Sequence, residues 1–174
     1  MPLATNLAIA AGLAALVGAA PLTLPSRVLV ERTATIDATP AEIFALVGSN
    51  RGFQRFNPYL DADPDLDIAL SGPEFGPGSA FSFNGRDGAG TQTITSMQQD
   101  RQVVMQIDLG ARGRPVQTFD LTPTAGGTRV RWSVDSDLGL NPVARIFGLF
   151  LEGMVGPTIE RGLENLSTAA RTAA

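Results

Sequence analysis

Residues 141–171, NPVARIFGLFLEGMVGPTIERGLENLSTAAR, carry a sustained helical pattern at the end of the chain. Their apolar residues recur at spacings of three and four, which is the periodicity of an α-helix and not the alternation of a strand. Asn141 is suited to cap the helix, and Pro142 takes the first turn, where its missing N–H costs no hydrogen bond. Pro157 predicts a bend within the helix. The stretch therefore predicts one long C-terminal helix.

The two halves of this helix differ in their polarity. The first half, up to Met154, is apolar on nearly every side, whereas Glu160, Arg161 and Glu164 give the second half a side that can face water. A helix that is apolar all round must be enclosed, or must cover an apolar space that other side chains do not fill. We therefore expect the helix to lie across a sheet, with such a space beneath its first half.

The composition of the chain excludes several classes of function. Its 174 residues suit one domain, and all 13 basic residues are arginines, outnumbered by 17 acidic residues without any basic cluster, so nucleic acid is not an expected partner. The chain has neither histidine nor cysteine, which excludes thiol nucleophiles, Ser-His-Asp triads and His/Cys-ligated metals. We predict no cofactor and no metal site. The alternating acids Asp61, Asp63, Asp65 and Asp67 predict a solvated sheet edge rather than a calcium loop.

Residues 1–26 form an uncharged N-terminal segment, which we separate from a folded domain at residues 27–174. The segment contains a continuous apolar run of 14 residues from Leu7 to Ala20, shorter than the roughly 20 residues of a full membrane span. We favour a membrane anchor; because Arg27 and Arg32 follow it, this interpretation places the domain on the cytoplasmic side. The alternatives are a cleaved signal, which would make the protein secreted or periplasmic, and a helix packed on the domain.

The remaining pattern predicts strands joined by short turns. An alternating, β-branched first strand begins at Arg27, and Thr39-Pro40-Ala41-Glu42 opens a short helix that ends at Val47. Residues 51–56 form a second helical turn. Six short strands follow between residues 66 and 134, separated by turn signals without helices between them, which indicates antiparallel pairing. The prediction is an α+β domain: one strand, two short helices, six strands and the long helix.

In this order the chain resembles the START-like or SRPBCC superfamily, most closely its polyketide cyclase/dehydrase group, over residues 27–171. The resemblance implies a helix-grip fold, in which a seven-stranded antiparallel sheet curves around the C-terminal helix and leaves a cavity between them. Members often carry an N-terminal apolar segment, which supports the anchor. The chain departs from the family at Phe53 and Phe56, where tryptophans are common. Six stretches carry the resemblance: TATIDATPAEIFALVGS (33–49), RGFQRFNPY (51–59), SGPEFGPGSAFSF (71–83), GAGTQTITSM (88–97), GGTRVRWSV (126–134) and MVGPTIERGLENL (154–166).

Strand alternation predicts which side chains face the helix. The inward face is expected to be almost purely apolar, with the strand charges on the other face. These aromatic and aliphatic side chains either line a ligand cavity or form a closed core, and we predict the former because the set matches the composition of ligand pockets. The predicted ligand-binding residues are Phe53, Phe56, Tyr59, Phe81, Phe83, Met105, Ile107, Phe119, Trp132, Phe147, Phe150, Leu151 and Met154.

The favoured function is the binding of a small hydrophobic ligand, such as a lipid, an isoprenoid or an aromatic polyketide. The family label implies a second function, the cyclisation or dehydration of a polyketide. A third is an interaction protein, as in the related activators of a chaperone ATPase. General acid–base chemistry needs a positioned proton donor, and only Tyr59, Glu74 or Glu152 could supply one, so we predict no catalytic residue. No pattern in the sequence indicates an oligomeric state.

Overall fold

A computed structural model describes residues 23–172 of the chain and confirms the α+β architecture. A single strand is followed by short helices, six further strands and a long C-terminal helix. Residues 1–22 lie outside the described part. The apolar N-terminal helix and the domain division at residue 26 therefore stay predictions.

The seven strands and four α-helices within residues 23–172 are numbered in chain order. The strands are β1 (Arg27–Ile36), β2 (Asp67–Ser71), β3 (Ala80–Gly85), β4 (Gly88–Gln98), β5 (Gln102–Asp108), β6 (Val116–Thr124) and β7 (Gly127–Asp137). The helices are α1 (Pro40–Val47), α2 (Asn50–Phe53), α3 (Pro58–Ala62) and α4 (Pro142–Arg171). A 3₁₀ turn at Gly110–Arg112 joins β5 to β6.

Three short helices follow β1, not the two that the sequence predicted. The additional one is α3, which begins at Pro58, directly after the helical turn predicted at residues 51–56. The side chain of Asn57 accepts a hydrogen bond from the Tyr59 N–H at 3.0 Å, and Pro58 stands at the first helical position. An asparagine followed by proline is a start signal for a helix as much as a stop signal, and here it is a start.

The sheet is a fully antiparallel meander in the order β1-β7-β6-β5-β4-β3-β2. Only the pairing of β1 with β7 joins strands that are distant in sequence, with Arg27 opposite Asp137 at one end and Ile36 opposite Thr128 at the other. The Leu138 N–H extends this pairing by donating to the Ser26 carbonyl at 2.8 Å. The long helix therefore starts beside the N-terminal end of β1.

The N-termini of α1 and α4 are capped by the residues that the sequence predicted. At α1 the Thr39 side chain accepts from the Glu42 N–H, and the Glu42 carboxylate accepts from the Thr39 N–H at 2.7 Å. This backbone hydrogen bond, followed by one from the Thr39 hydroxyl, lowers the pKa of Glu42. At α4 the Asn141 side chain accepts from the Val143 and Ala144 N–H groups at 3.0 and 3.3 Å.

The helix α4 runs continuously through Pro157 and packs chiefly against β1 and β7 at one side of the sheet. Glycines bring it close to the strands. A Cβ at Gly148 would lie 2.5 Å from Leu138 Cδ1, and one at Gly162 would lie 2.6 Å from Trp132 Cη2. Among residues 23–172, no helix combines the length and the apolar character needed to cross a membrane.

Candidate functional site

One end of the concave sheet face is closed by aromatic side chains in mutual contact. Trp132 lies with its ring centroid 4.6 Å from that of Phe119, and Phe53 and Phe56 meet edge to face at 5.0 Å. Phe81 stacks on Phe53 at 5.9 Å, and all five residues are buried. The second half of α4 covers this cluster, with Gly162 directly over the indole of Trp132. These rings fill the space between sheet and helix at this end.

The opposite end of the same face is open. Phe83 of β3, Ile107 of β5 and Val134 of β7 lie on the concave face but are only half-buried. Leu151 and Val155 of α4 are half-buried and touch the edge of the core. Among the strands, α4 makes most of its contacts with β1 and β7. We call the surface formed by these five half-buried apolar residues the open cleft.

Two glutamines form a polar strip between the closed end and the open cleft. Gln92 is paired across the sheet with Phe81 and Ile107, and Gln117 is paired with Met105 and Val134. Both glutamines are 3% exposed. Each directs its amide nitrogen at the sulfur of Met105, at 3.1 Å from Gln92 and 3.4 Å from Gln117.

The amide of Gln92 has a second partner, whereas that of Gln117 is held only weakly. Gln92 Nε2 also donates to Asn50 Oδ1 at 2.9 Å, and Asn50 in turn donates to the Ser79 carbonyl at 2.6 Å. The only described acceptor for Gln117 Nε2 is a thioether sulfur, which accepts hydrogen bonds weakly. The amide of Gln117 is therefore the more weakly held of the two.

A third polar residue on the concave face is Arg32 of β1. Its Nε donates to Glu160 at 2.5 Å and its Nη2 donates to Glu152 at 2.8 Å, both on α4. The hydrogen bonds that it donates to Glu160, and then to Glu152, raise the pKa of the guanidinium. A Cβ at Gly156 would clash with this guanidinium. Arg32 thus clamps α4 to the edge strand, with both carboxylates engaged.

The expectation of an almost purely apolar inward face was wrong at these three positions. The same alternation predicts them: Arg32 falls in phase with the buried Val30, Gln92 with Ile94, and Gln117 with Phe119. Alternation read from the apolar residues alone leaves out these polar positions, although they lie on the same face.

Tyr59 of α3 stands at the rim, 46% exposed. Desolvation, and secondarily the charge of Asp87 in the β3–β4 turn, raise the pKa of its phenol. The same short helix is joined to α4 by a hydrogen bond of 3.0 Å from Asn165 Nδ2 to Asp61 Oδ2. Tyr59 is therefore a neutral phenol at physiological pH, able to donate a hydrogen bond but unsuited to act as a base.

The structure distributes the thirteen predicted residues among distinct environments, and their role in ligand binding stays a prediction. Three residues of α4, namely Phe147, Phe150 and Met154, are exposed, while Leu151 borders the open cleft. Phe83 and Ile107 also border the cleft, and Tyr59 stands at the rim. The six members in the packed interior are Phe53, Phe56, Phe81, Met105, Phe119 and Trp132.

Two surface hollows lie outside the open cleft. The larger, of about 620 Å³, is bordered by Phe44 of α1, Phe75 and Met97, and the smaller, of about 250 Å³, is bordered by Arg51, Leu70 and Glu74 among others. Glu74, one of the three possible proton donors, thus borders the smaller hollow.

Asp63, from the acidic run, accepts a hydrogen bond from the Arg86 N–H at 2.9 Å and so holds the β3–β4 turn in place. Within residues 23–172, no group of acidic side chains is arranged to hold a metal ion.

Comparison with known proteins identifies the family and the fold. A model of the family described as polyketide cyclase / dehydrase and lipid transport matches residues 27–171. No curated protein sequence matches the chain significantly.

Several solved structures are similar in fold to this chain. The di-domain ARO/CYC StfQ from the steffimycin biosynthetic pathway shares 10% identity at a TM-score of 0.61, over 84% of this chain and 51% of that one. Ara h 8.0201 shares 14% identity at a TM-score of 0.58, over 84% and 99%. Protein MLL2253 from Mesorhizobium loti shares 20% identity at a TM-score of 0.55, over 85% and 98%. At these identities the likeness establishes the helix-grip fold alone.

Proposed function

We propose that this chain, which belongs to the polyketide cyclase / dehydrase and lipid transport family, binds a small hydrophobic ligand in the open cleft. The observation that carries the proposal is a set of half-buried apolar side chains, contributed by both the sheet and α4, around a space that the helix leaves open. A mainly apolar lining with a few placed polar groups is typical of ligand sites. The family description, which includes lipid transport, supports the same class of ligand.

The polar strip narrows the chemistry of the ligand. An apolar body would cover Phe83, Ile107 and Leu151, while a carbonyl or hydroxyl oxygen would accept from the amide of Gln117. Such an oxygen is a stronger acceptor than the sulfur of Met105, which now holds that amide. Lipids, isoprenoids and aromatic polyketides all combine an apolar body with an oxygen of this kind.

A cyclase or dehydrase is the second candidate, favoured by the family description and by the neutral phenol of Tyr59. That phenol could hold a substrate carbonyl by a hydrogen bond. The carboxylate of Glu152 is occupied by Arg32, so a general base would have to come from elsewhere. For this reason we rank binding first.

Binding can be tested with a pair of variants on opposite faces of one strand. Ile107→Glu places a carboxylate in the open cleft, whereas Gln106→Glu places the same group on the convex face one residue away. Fluorescent fatty acids and polycyclic aromatics should bind the parent protein saturably. We expect Ile107→Glu to weaken that binding at least tenfold and Gln106→Glu to leave it within about twofold, because burying an unpaired charge is costly. Absence of saturable binding, or equal affinity in both variants, would refute the proposal.

We also propose that residues 1–26 tether the domain to a membrane, on its cytoplasmic side. The support is the uncharged apolar run followed by Arg27 and Arg32. The test is fractionation of the full chain: a tethered protein pellets with membranes and resists extraction by high salt. Recovery in the supernatant without detergent would exclude the tether, and a shortened mature chain would indicate the cleaved-signal alternative.

A further inference from the structure

The first half of α4 presents an exposed apolar face. Only two residues of 140–154 are charged, and neither contributes a free charge to it: Arg145 is buried and Glu152 is paired with Arg32. The second half of the same helix exposes Glu160, Arg161 and Glu164 instead. We call the following set the α4 apolar face; it includes Leu140, which lies just before the helix: Leu140, Val143, Ile146, Phe147, Leu149, Phe150 and Met154.

The area of this face exceeds what an ordinary surface patch presents. Its members are between 45% and 80% exposed. At about 200 Å² for one fully exposed large side chain they show roughly 800 Å² together. The largest apolar patch of a typical monomer is about 300–600 Å², and larger ones mark interaction sites. The size of the α4 apolar face therefore indicates an interaction site.

The position of the face relates it to the N-terminal segment and to the cleft. Arg145 Nη1 donates to the Leu24 carbonyl at 3.1 Å, so Leu24, near the end of the N-terminal segment, lies beside the first turn of α4. Toward the sheet, Phe147 and Met154 are the i−4 and i+3 neighbours of Leu151, which borders the open cleft. The face thus extends from the neighbourhood of Leu24 to the mouth of the cleft.

We propose that the α4 apolar face lies in the interfacial layer of a phospholipid bilayer, next to the tether. This inference rests on the proposed tether and extends it to a second contact. The run from Leu7 to Ala20 has no polar side chain, so a helix formed by it is apolar all round and must itself be enclosed. If that run covered the face, its outer side would be left exposed, and a second copy of the domain would leave the run uncovered. A bilayer encloses both surfaces at once.

The charges indicate the kind of bilayer. The chain has a net charge of −4, and Arg27, three residues after Leu24, is paired with Asp135. Without a basic cluster there is no attraction to anionic lipid, so contact depends on apolar burial and zwitterionic lipid suffices. In this orientation the mouth of the open cleft adjoins the bilayer, and a membrane-borne ligand would enter without crossing water.

The test uses the full-length chain, whose lack of cysteine allows a single label to be placed at will. Phe150→Cys and, as the matched control on the second half of the same helix, Thr168→Cys are each labelled with nitrobenzoxadiazole and mixed with phosphatidylcholine vesicles. Both positions are exposed, so the label should not disturb folding. We expect emission at 150 to shift to the blue, rise at least twofold and be quenched by spin-labelled lipid, at low and high salt alike. Emission at 168 should not change.

Vesicle flotation, measured on the same samples, separates the inference from the tether. Flotation without a change at 150 would overturn the inference and leave the tether standing. Failure to float would overturn both, while ligand binding in the cleft is measured independently without vesicles. A label at 150 that is already blue-shifted before vesicles are added would show that the N-terminal run or, if the shift depends on concentration, a second copy covers the face. That result also overturns the inference.

Discussion

Replacing Gly162 by alanine tests whether the closed end of the concave face is filled. The added Cβ would lie 2.6 Å from Trp132 Cη2, closer still to Cζ3, and 3.3 Å from Pro58 Cγ. The indole is 1% exposed and held among phenylalanine rings, so it has no direction in which to withdraw. Overpacking of this kind costs about 1–3 kcal/mol. Alanine regains up to about 1 kcal/mol over glycine in a helix interior, which leaves Gly162→Ala destabilised by up to about 2 kcal/mol.

The matched control is Gly153→Ala in the same helix. A Cβ at Gly153 has no atom within 4 Å, so only the helical preference changes. We expect this variant to be stabilised by about 0.5–1 kcal/mol. Because the helical preference is the same in both variants, they should differ in the free energy of unfolding by the overpacking cost alone, about 1–3 kcal/mol. The measurement is urea titration of the full chain with far-UV circular dichroism as the probe.

The outcome bears directly on where a ligand can enter. If Gly162→Ala were as stable as Gly153→Ala, the indole would have room to move, and the space under the second half of α4 would contain a cavity. The assignment of the ligand to the open cleft alone would then be refuted. The predicted residues at the closed end, Trp132 among them, would return as candidates for ligand contact.

Two further predictions concern titration. The pKa of Glu42 is lowered in the fold by its hydrogen bonds from Thr39, so the stability it contributes is present above its ordinary pKa of 4.5 and is lost as the pH falls through the lowered value. Urea midpoints of the parent and Glu42→Gln should differ at pH 7 and converge at acid pH; a constant difference would contradict the capping box. Tyr59 is the only tyrosine, so absorbance at alkaline pH reports the ionisation of its phenol alone. The midpoint of that ionisation should lie above the ordinary pKa of 10.0. A midpoint at or below that value, or no loss of stability as the pH rises through it, would contradict its desolvation.

The sequence by itself determined the elements and their order, because the signals for both are local. The capping box predicted α1 with the bounds Pro40–Val47 that the structure has, and the three- and four-residue spacing predicted the long helix. Turn residues between short alternating segments predicted a meander, since neighbouring strands joined by tight turns can only pair antiparallel. Alternation also identified the concave face, which is the same in the structure for every predicted apolar residue of the strands.

The tertiary structure alone decided how that face is divided into a closed end and an open cleft. Alternation states on which side of the sheet a residue lies, but not whether the helix above covers it. Coverage depends on the pairing of β1 with β7, which starts α4 at the edge of the sheet, and on the glycines that seat it against β1 and over Trp132. These contacts are not local in sequence; Arg32 and Glu152, for example, are 120 positions apart. For that reason Phe53 and Phe150 look alike in the sequence, yet one is enclosed in the core and the other is 60% exposed.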